Sequence, residues 1–120
     1  MAYDLHISRI RFWSDASHDP IAKQEVDELV DADPELSWSE SDFVDMRGRV
    51  DRVVQRYFMI IWQGTPCFWW YLDQIYCSSP SDAQILKMIH MARQLNAMVV
   101  GDDGELYQQS GNNKFIVVAA

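Results

Sequence analysis

The sequence predicts an α+β domain: an antiparallel sheet of about four to six strands carrying two helices on one face. Three observations predict it. Runs rich in β-branched and aromatic residues lie at both ends of the chain and in its middle. Two segments of helical apolar spacing separate them. The two kinds of element do not alternate one for one, as parallel crossover units require, so the strands pair antiparallel. The 120 residues form a single globular domain, 1–120, long enough to bury its own core.

Tyr3 to Trp13 reads as the first strand, with Leu5 and Ile7 among aromatic and β-branched neighbours and no helix start signal. Ser14 to His18 is a loop. Asp19 caps the first helix and Pro20 opens it. Ala22, Val26, Leu29 and Val30 form its apolar stripe, and Pro34 stops it at Asp33. The stretch 35–45 is polar, anchored by Leu36, Trp38, Phe43 and Val44, with room for a short strand.

Arg47-Gly48-Arg49 reads as a turn. Val50 to Trp62 is a strand, strongest from Arg56 onward. Gln63-Gly64-Thr65-Pro66 has turn chemistry, and Cys67 to Leu72 is the return strand. Asp73-Gln74 is a bulge or turn before Ile75 to Cys77. This long hairpin forms the centre of the sheet. Ser79, before Pro80, or Ser81 caps the second helix. Ile85, Met88, Ile89, Ala92 and Leu95 are its core face; Gln84, Lys87, His90, Met91 and Gln94 fall opposite. Asn96 ends it in a left-handed conformation. Ala97–Val100 and Glu105–Tyr107 flank Gly101-Asp-Asp-Gly104 as a hairpin. Phe115 to Val118 is a last strand or a tail.

Hydrophobic residues make up 48% of the chain and charged residues 23%, a globular balance rather than a disordered one. No apolar run approaches the roughly 20 residues of a membrane helix. The first residues lack the basic and apolar regions of a signal peptide, so a cytoplasmic location is expected. Cys67 and Cys77 read as free thiols. The net charge of −8 is concentrated: residues 15–45 hold eleven acids and one base, Lys23. Such a field repels phosphate backbones, which disfavours nucleic acid, and attracts a basic protein. A solvated acidic helix face that aids solubility explains the same charges.

The central hairpin is apolar on both faces, because alternate residues of Met59–Trp62 and Phe68–Tyr71 point opposite ways. A half-solvated sheet would alternate apolar with polar. Either the chain's own segments cover the second face, or Trp62, Trp69, Trp70 and Tyr71 form an aromatic patch for a partner or ligand. Asp102-Asp103-Gly104-Glu105 could offer oxygens to a cation, but lacks the EF-hand spacing, and a tight turn explains it without a metal. His6, His18 and His90 share no ligand or catalytic spacing, and no catalytic motif is present. Arg47, Arg49, Arg52 and Arg56 form the one basic cluster; it could serve as an anion site, and an ion-pair network with the neighbouring acids of 35–45 explains it without one. No catalytic residue, metal or cofactor is assigned.

The stretch Met91 to Tyr107, ending in Gly101-Asp-Asp-Gly-Glu-Leu-Tyr107, resembles a group of small uncharacterised proteobacterial proteins. Tyr3-Asp4-Leu5 and the Asp-Pro-Glu-Leu element from Asp33 to Leu36 belong to the same likeness, which spans most of the chain. A looser similarity links such small acidic proteins to the immunity partners of bacterial toxins. The likeness assigns no chemistry to any residue, and the short tail after Tyr107 departs from it.

Two functions are therefore expected. The first is a non-enzymatic protein-binding domain, an acidic immunity-type inhibitor that meets a basic toxin through Asp27, Asp31, Glu35, Glu40, Asp42 and Asp45. The alternative is a small-ligand-binding domain or small enzyme with an aromatic pocket on the hairpin and His6 or His18 as its polar group. A monomer or a homodimer paired through a sheet face fits either.

Overall fold

A computed structural model describes residues 3–39, 43–45, 54–56 and 58–120; of 43–45 and 54–56 it describes the backbone. The fold is α+β. Its main sheet has eight strands, all antiparallel, in the order β10-β9-β8-β1-β7-β6-β5-β2. These are β1 (Asp4–Ser8), β2 (Leu36–Trp38), β5 (Phe58–Trp62), β6 (Thr65–Tyr71), β7 (Gln74–Ser78), β8 (Met98–Gly101), β9 (Leu106–Gly111) and β10 (Lys114–Val118). β3 (Phe43–Asp45) and β4 (Val54–Arg56) pair with each other as a separate ribbon. The main sheet thus exceeds the expected four to six strands. The sheet is extended at one end by the β9/β10 hairpin and at the other by the three-residue β2, which pairs with β5.

The helices are α1 (Lys23–Ala32) and α2 (Asp82–Gln94), with a short 3-10 segment at Trp13–His18. α1 and α2 share one core with one face of the sheet. Val26, Leu29 and Val30 of α1 and Ile85, Met88, Ile89 and Met91 of α2 pack against Leu5, Ile7, Ile60, Phe68, Ile75 and Val99. Among the described residues, no helix is long and apolar enough to cross a membrane.

Three local expectations are corrected. β1 stops at Ser8 instead of running to Trp13. The Ser8 hydroxyl donates to the Ile10 carbonyl and accepts from the Ile10 N–H, which turns the chain out of the sheet. α1 starts at Lys23, not Pro20. Tertiary bonds hold the preceding residues outside the helix: Ile21 donates its N–H to the Asp73 carbonyl and accepts from the Trp70 indole. The Ile21 side chain is fully buried. Glu25 then accepts from the Ala22 N–H and closes the first turn.

The third correction concerns α2. Lys87 and Met91, expected on the solvent side, are buried. Met91 joins the core, and Lys87 donates to Asp33 (2.7 Å) and Glu35 (2.6 Å), so its ammonium is buried with both partners in place. The other signals of this helix hold. Ser81 caps it through the Gln84 N–H, and Asn96 takes φ +53° after its last turn. The 47–49 turn and the arginine cluster Arg47, Arg49 and Arg52 lie outside the described residues; Arg56 is described by its backbone in β4.

Candidate functional site

The site forms on the face of the sheet opposite α1 and α2. β1 is an interior strand between β7 and β8. Leu5 and Ile7 point into the helix-covered core, so His6 between them points the other way. On that second face the register sets His6 beside Tyr76 of β7 and Val100 of β8. His6 is only 5% exposed, one of three buried polar residues described.

Three segments close on the His6 ring. The 3-10 segment lays Trp13 flat on it, with ring centroids 4.6 Å apart and planes within 2°. The start of β7 supplies Gln74, whose Oε1 is 2.7 Å from His6 Nδ1. The turn after β8 supplies Asp102, whose Oδ1 is 2.8 Å from His6 Nε2. Partners on its other atom orient the Gln74 amide: its nitrogen donates to the Trp13 carbonyl (3.2 Å) and to Asp73 Oδ1 (3.1 Å). Its oxygen is therefore the atom that faces His6. Each ring nitrogen thus has a protein oxygen within hydrogen-bonding distance.

Asp102 is held from three sides. Oδ1 meets His6, Oδ2 accepts from the Asp4 N–H (3.0 Å), and its carbonyl accepts from the Trp13 indole (3.0 Å). Its carboxylate nevertheless remains 36% exposed. It borders a cavity of about 420 Å³, within the usual range of small-molecule sites. Trp13, Tyr71 and Tyr76 supply aromatic lining; Asp4, Asp73 and Asp102 supply carboxylates. His6 and Gln74 also line it, and Leu72, exposed and at φ +60°, is the remaining apolar residue there.

The arrangement orients groups for binding. A histidine whose two ring nitrogens both meet oxygens of the fold holds a carboxylate in place. The described residues contain no group of three or more His, Cys, Asp or Glu side chains arranged to hold a metal ion.

The four hairpin aromatics divide between the two faces. Trp62 and Trp70 pack with the core; the Trp70 indole donates to the Ile21 carbonyl, and that of Trp62 to Glu35. Trp69 lies on the second face, edge-on to Tyr76 at 5.3 Å. Tyr71 alone of the four lines the cavity. His6 is at the site, whereas His18 and His90 are exposed elsewhere. Of the six acids expected to meet a partner, Asp27 pairs with Lys23 and Glu35 with Lys87. Asp31 is exposed on α1. Glu40 and Asp42 lie outside the described residues, and Asp45 is described by its backbone alone.

Sequence reasoning passed over Trp13, Gln74, Tyr76 and Asp102 as site residues. Asp102 carried a turn signal, which is correct locally and silent about a partner in β1. A histidine in a strand whose two neighbours are core aliphatics was the available clue, since alternation buries it on the other face. Comparison of the chain with protein-family models, with curated proteins and with solved structures finds no match.

Proposed function

We propose that the protein is a small-molecule-binding domain whose ligand enters the cavity beside His6 on the second face of the sheet. The observation that carries this reading is the fully hydrogen-bonded His6–Asp102–Gln74 network set under an aromatic wall. Buried polar networks of this kind hold side chains rigid, and rigid lining lowers the ordering cost of binding. Both His6 nitrogens meet oxygens of the fold, at 2.7 and 2.8 Å, which supports a fixed wall against which a ligand can bind. A basic protein partner on the acidic segment is the weaker reading. Asp27 and Glu35 are paired within the fold, which leaves less of the expected surface to offer.

The test is a fragment titration of ¹⁵N-labelled protein, using small aromatic compounds of positive, zero and negative charge. Binding should move the Trp13 indole signal together with the amides of Tyr71 and Asp102. Trp13→Ala should weaken any such fragment about tenfold, the scale of one lost aromatic contact. Fragments that bind only elsewhere, or bind Trp13→Ala unchanged, overturn the proposal.

A further inference from the structure

We infer that the ligand of this cavity is an organic cation: a protonated amine on a flat apolar body. This inference rests on the ligand-binding reading above and gives it a chemical class. Three carboxylates, Asp4, Asp73 and Asp102, line the cavity, and among the described residues no lysine or arginine does. The imidazole of His6 already faces Asp102, so the described lining gives an anion no uncommitted positive group. A phosphate or carboxylate entering here would meet like charge in a partly desolvated space.

The carboxylates differ in what they can give. Asp102 is fixed by His6 and the Asp4 N–H, and is still partly open to the cavity. Asp4 Oδ1 accepts from Ser78, and Asp73 Oδ1 accepts from Gln74. Each therefore reaches the cavity already oriented, and a carboxylate has more acceptor sites than these bonds occupy. Opposite charge alone would suit any cation, an inorganic one included. The rings of Trp13, Tyr71 and Tyr76 narrow the class. Aromatic faces carry negative potential and apolar area together, which suits an ammonium attached to a hydrophobic body. A bare metal ion would gain nothing from those rings and would have to give up hydration.

The experiment uses a matched series on the full chain: phenethylamine, protonated at neutral pH; phenethyl alcohol, its neutral counterpart; and phenylacetate, the anion. Affinity and location are read from the Trp13 indole and the Tyr71 and Asp102 amides in ¹⁵N spectra. The amine should bind about tenfold more tightly than the alcohol, and phenylacetate should not bind there. Asp73→Asn keeps the oxygen that Gln74 uses and removes the charge. It should weaken the amine several-fold, leave the alcohol unchanged, and flatten the salt dependence of amine binding.

Equal or tighter binding of the alcohol or of phenylacetate at these residues overturns the cation and leaves the cavity standing as a ligand site. Amine affinity unaltered in Asp73→Asn also overturns it. Failure of all three compounds to move these signals overturns the cation as well; the wider fragment titration then decides separately whether the cavity binds anything.

Discussion

His6 Nε2 and Asp102 Oδ1 lie 2.8 Å apart although 96 residues separate them in the chain. The contact joins the middle of β1 to the turn that leaves β8, and it ties the second face of the sheet to the loop below the cavity. The His6 ring is almost wholly buried, so its two hydrogen-bond partners have no ready replacement in water.

Asp102→Ala should therefore cost about 1–3 kcal/mol, because the His6 Nε2 and the Asp4 N–H both lose their acceptor. Asp103→Ala, at the exposed neighbouring position of the same turn, should stay within about 0.5 kcal/mol. Urea denaturation of both variants checks the contrast. Equal losses would mean that turn propensity, and not the His6 contact, is what Asp102 contributes.

The Lys87 clamp sets a pH dependence. Burial pushes the Asp33 carboxyl up, but the Lys87 ammonium and the Glu35 N–H outweigh it and hold it below its ordinary value of 3.8. The hydrogen bond from Lys87 holds Glu35 below its ordinary 4.5. Both titrate lower in the folded chain than in the unfolded one. Their contribution is present above pH 4.5 and is lost as acid takes the pH below those ordinary values and through the folded ones. Burial lowers Lys87, and its two carboxylates more than reverse that, so its contribution holds below its ordinary 10.5 and falls in stronger base. Lys87→Met should cost about 1–3 kcal/mol at pH 7 by leaving Asp33 uncompensated. It should also flatten the stability profile below pH 4.5, read from denaturant midpoints across pH.

A side chain at Gly101 requires the Glu105 carboxylate to move. A Cβ at this position would overlap the Glu105 carboxylate, which accepts from the hydroxyls of Tyr3 and Tyr107. Gly101→Ala should cost about 1–3 kcal/mol, and the combined variant with Glu105→Ala should cost less than the two changes added together. The same displacement has an optical readout. Burial and the nearby Glu105 push both phenols up to about 12. In Gly101→Ala both should ionise closer to the ordinary 10.0, followed by absorbance during an alkaline titration.

Cys77 provides a chemical probe of opening. Burial first, with lesser help from Cys67 and Asp4, pushes its thiol up to about 12, so almost none is thiolate near neutrality. Cys67 is half-buried and is also raised by burial. In Cys67→Ser, a disulfide reagent at pH 8 should label Cys77 only at the rate of unfolding, and that rate should rise with denaturant. Rapid labelling of the native variant would show that β7 opens locally.

The sequence by itself determined the fold class, the apolar positions Val26, Leu29 and Val30 of α1 and Ile85, Met88 and Ile89 of α2, the Asn96 end and the tight turn at 101–104, and it narrowed the α2 cap to Ser79 or Ser81. Each of these rests on neighbours within a few positions, where periodicity and turn chemistry operate. It also required that the second face of the hairpin be apolar, since alternation is local too. Only the tertiary structure decided which strands meet. Strand order set His6 against Tyr76 and Val100, brought Asp102 to its ring, and turned Lys87 from a surface cation into a clamped one. It likewise kept Ile21 outside α1, where Asp-Pro alone would have begun the helix earlier. The physical reason is common to all of them. A residue's hydrogen-bonding partner and its burial depend on segments tens of positions away, and no local pattern carries that information.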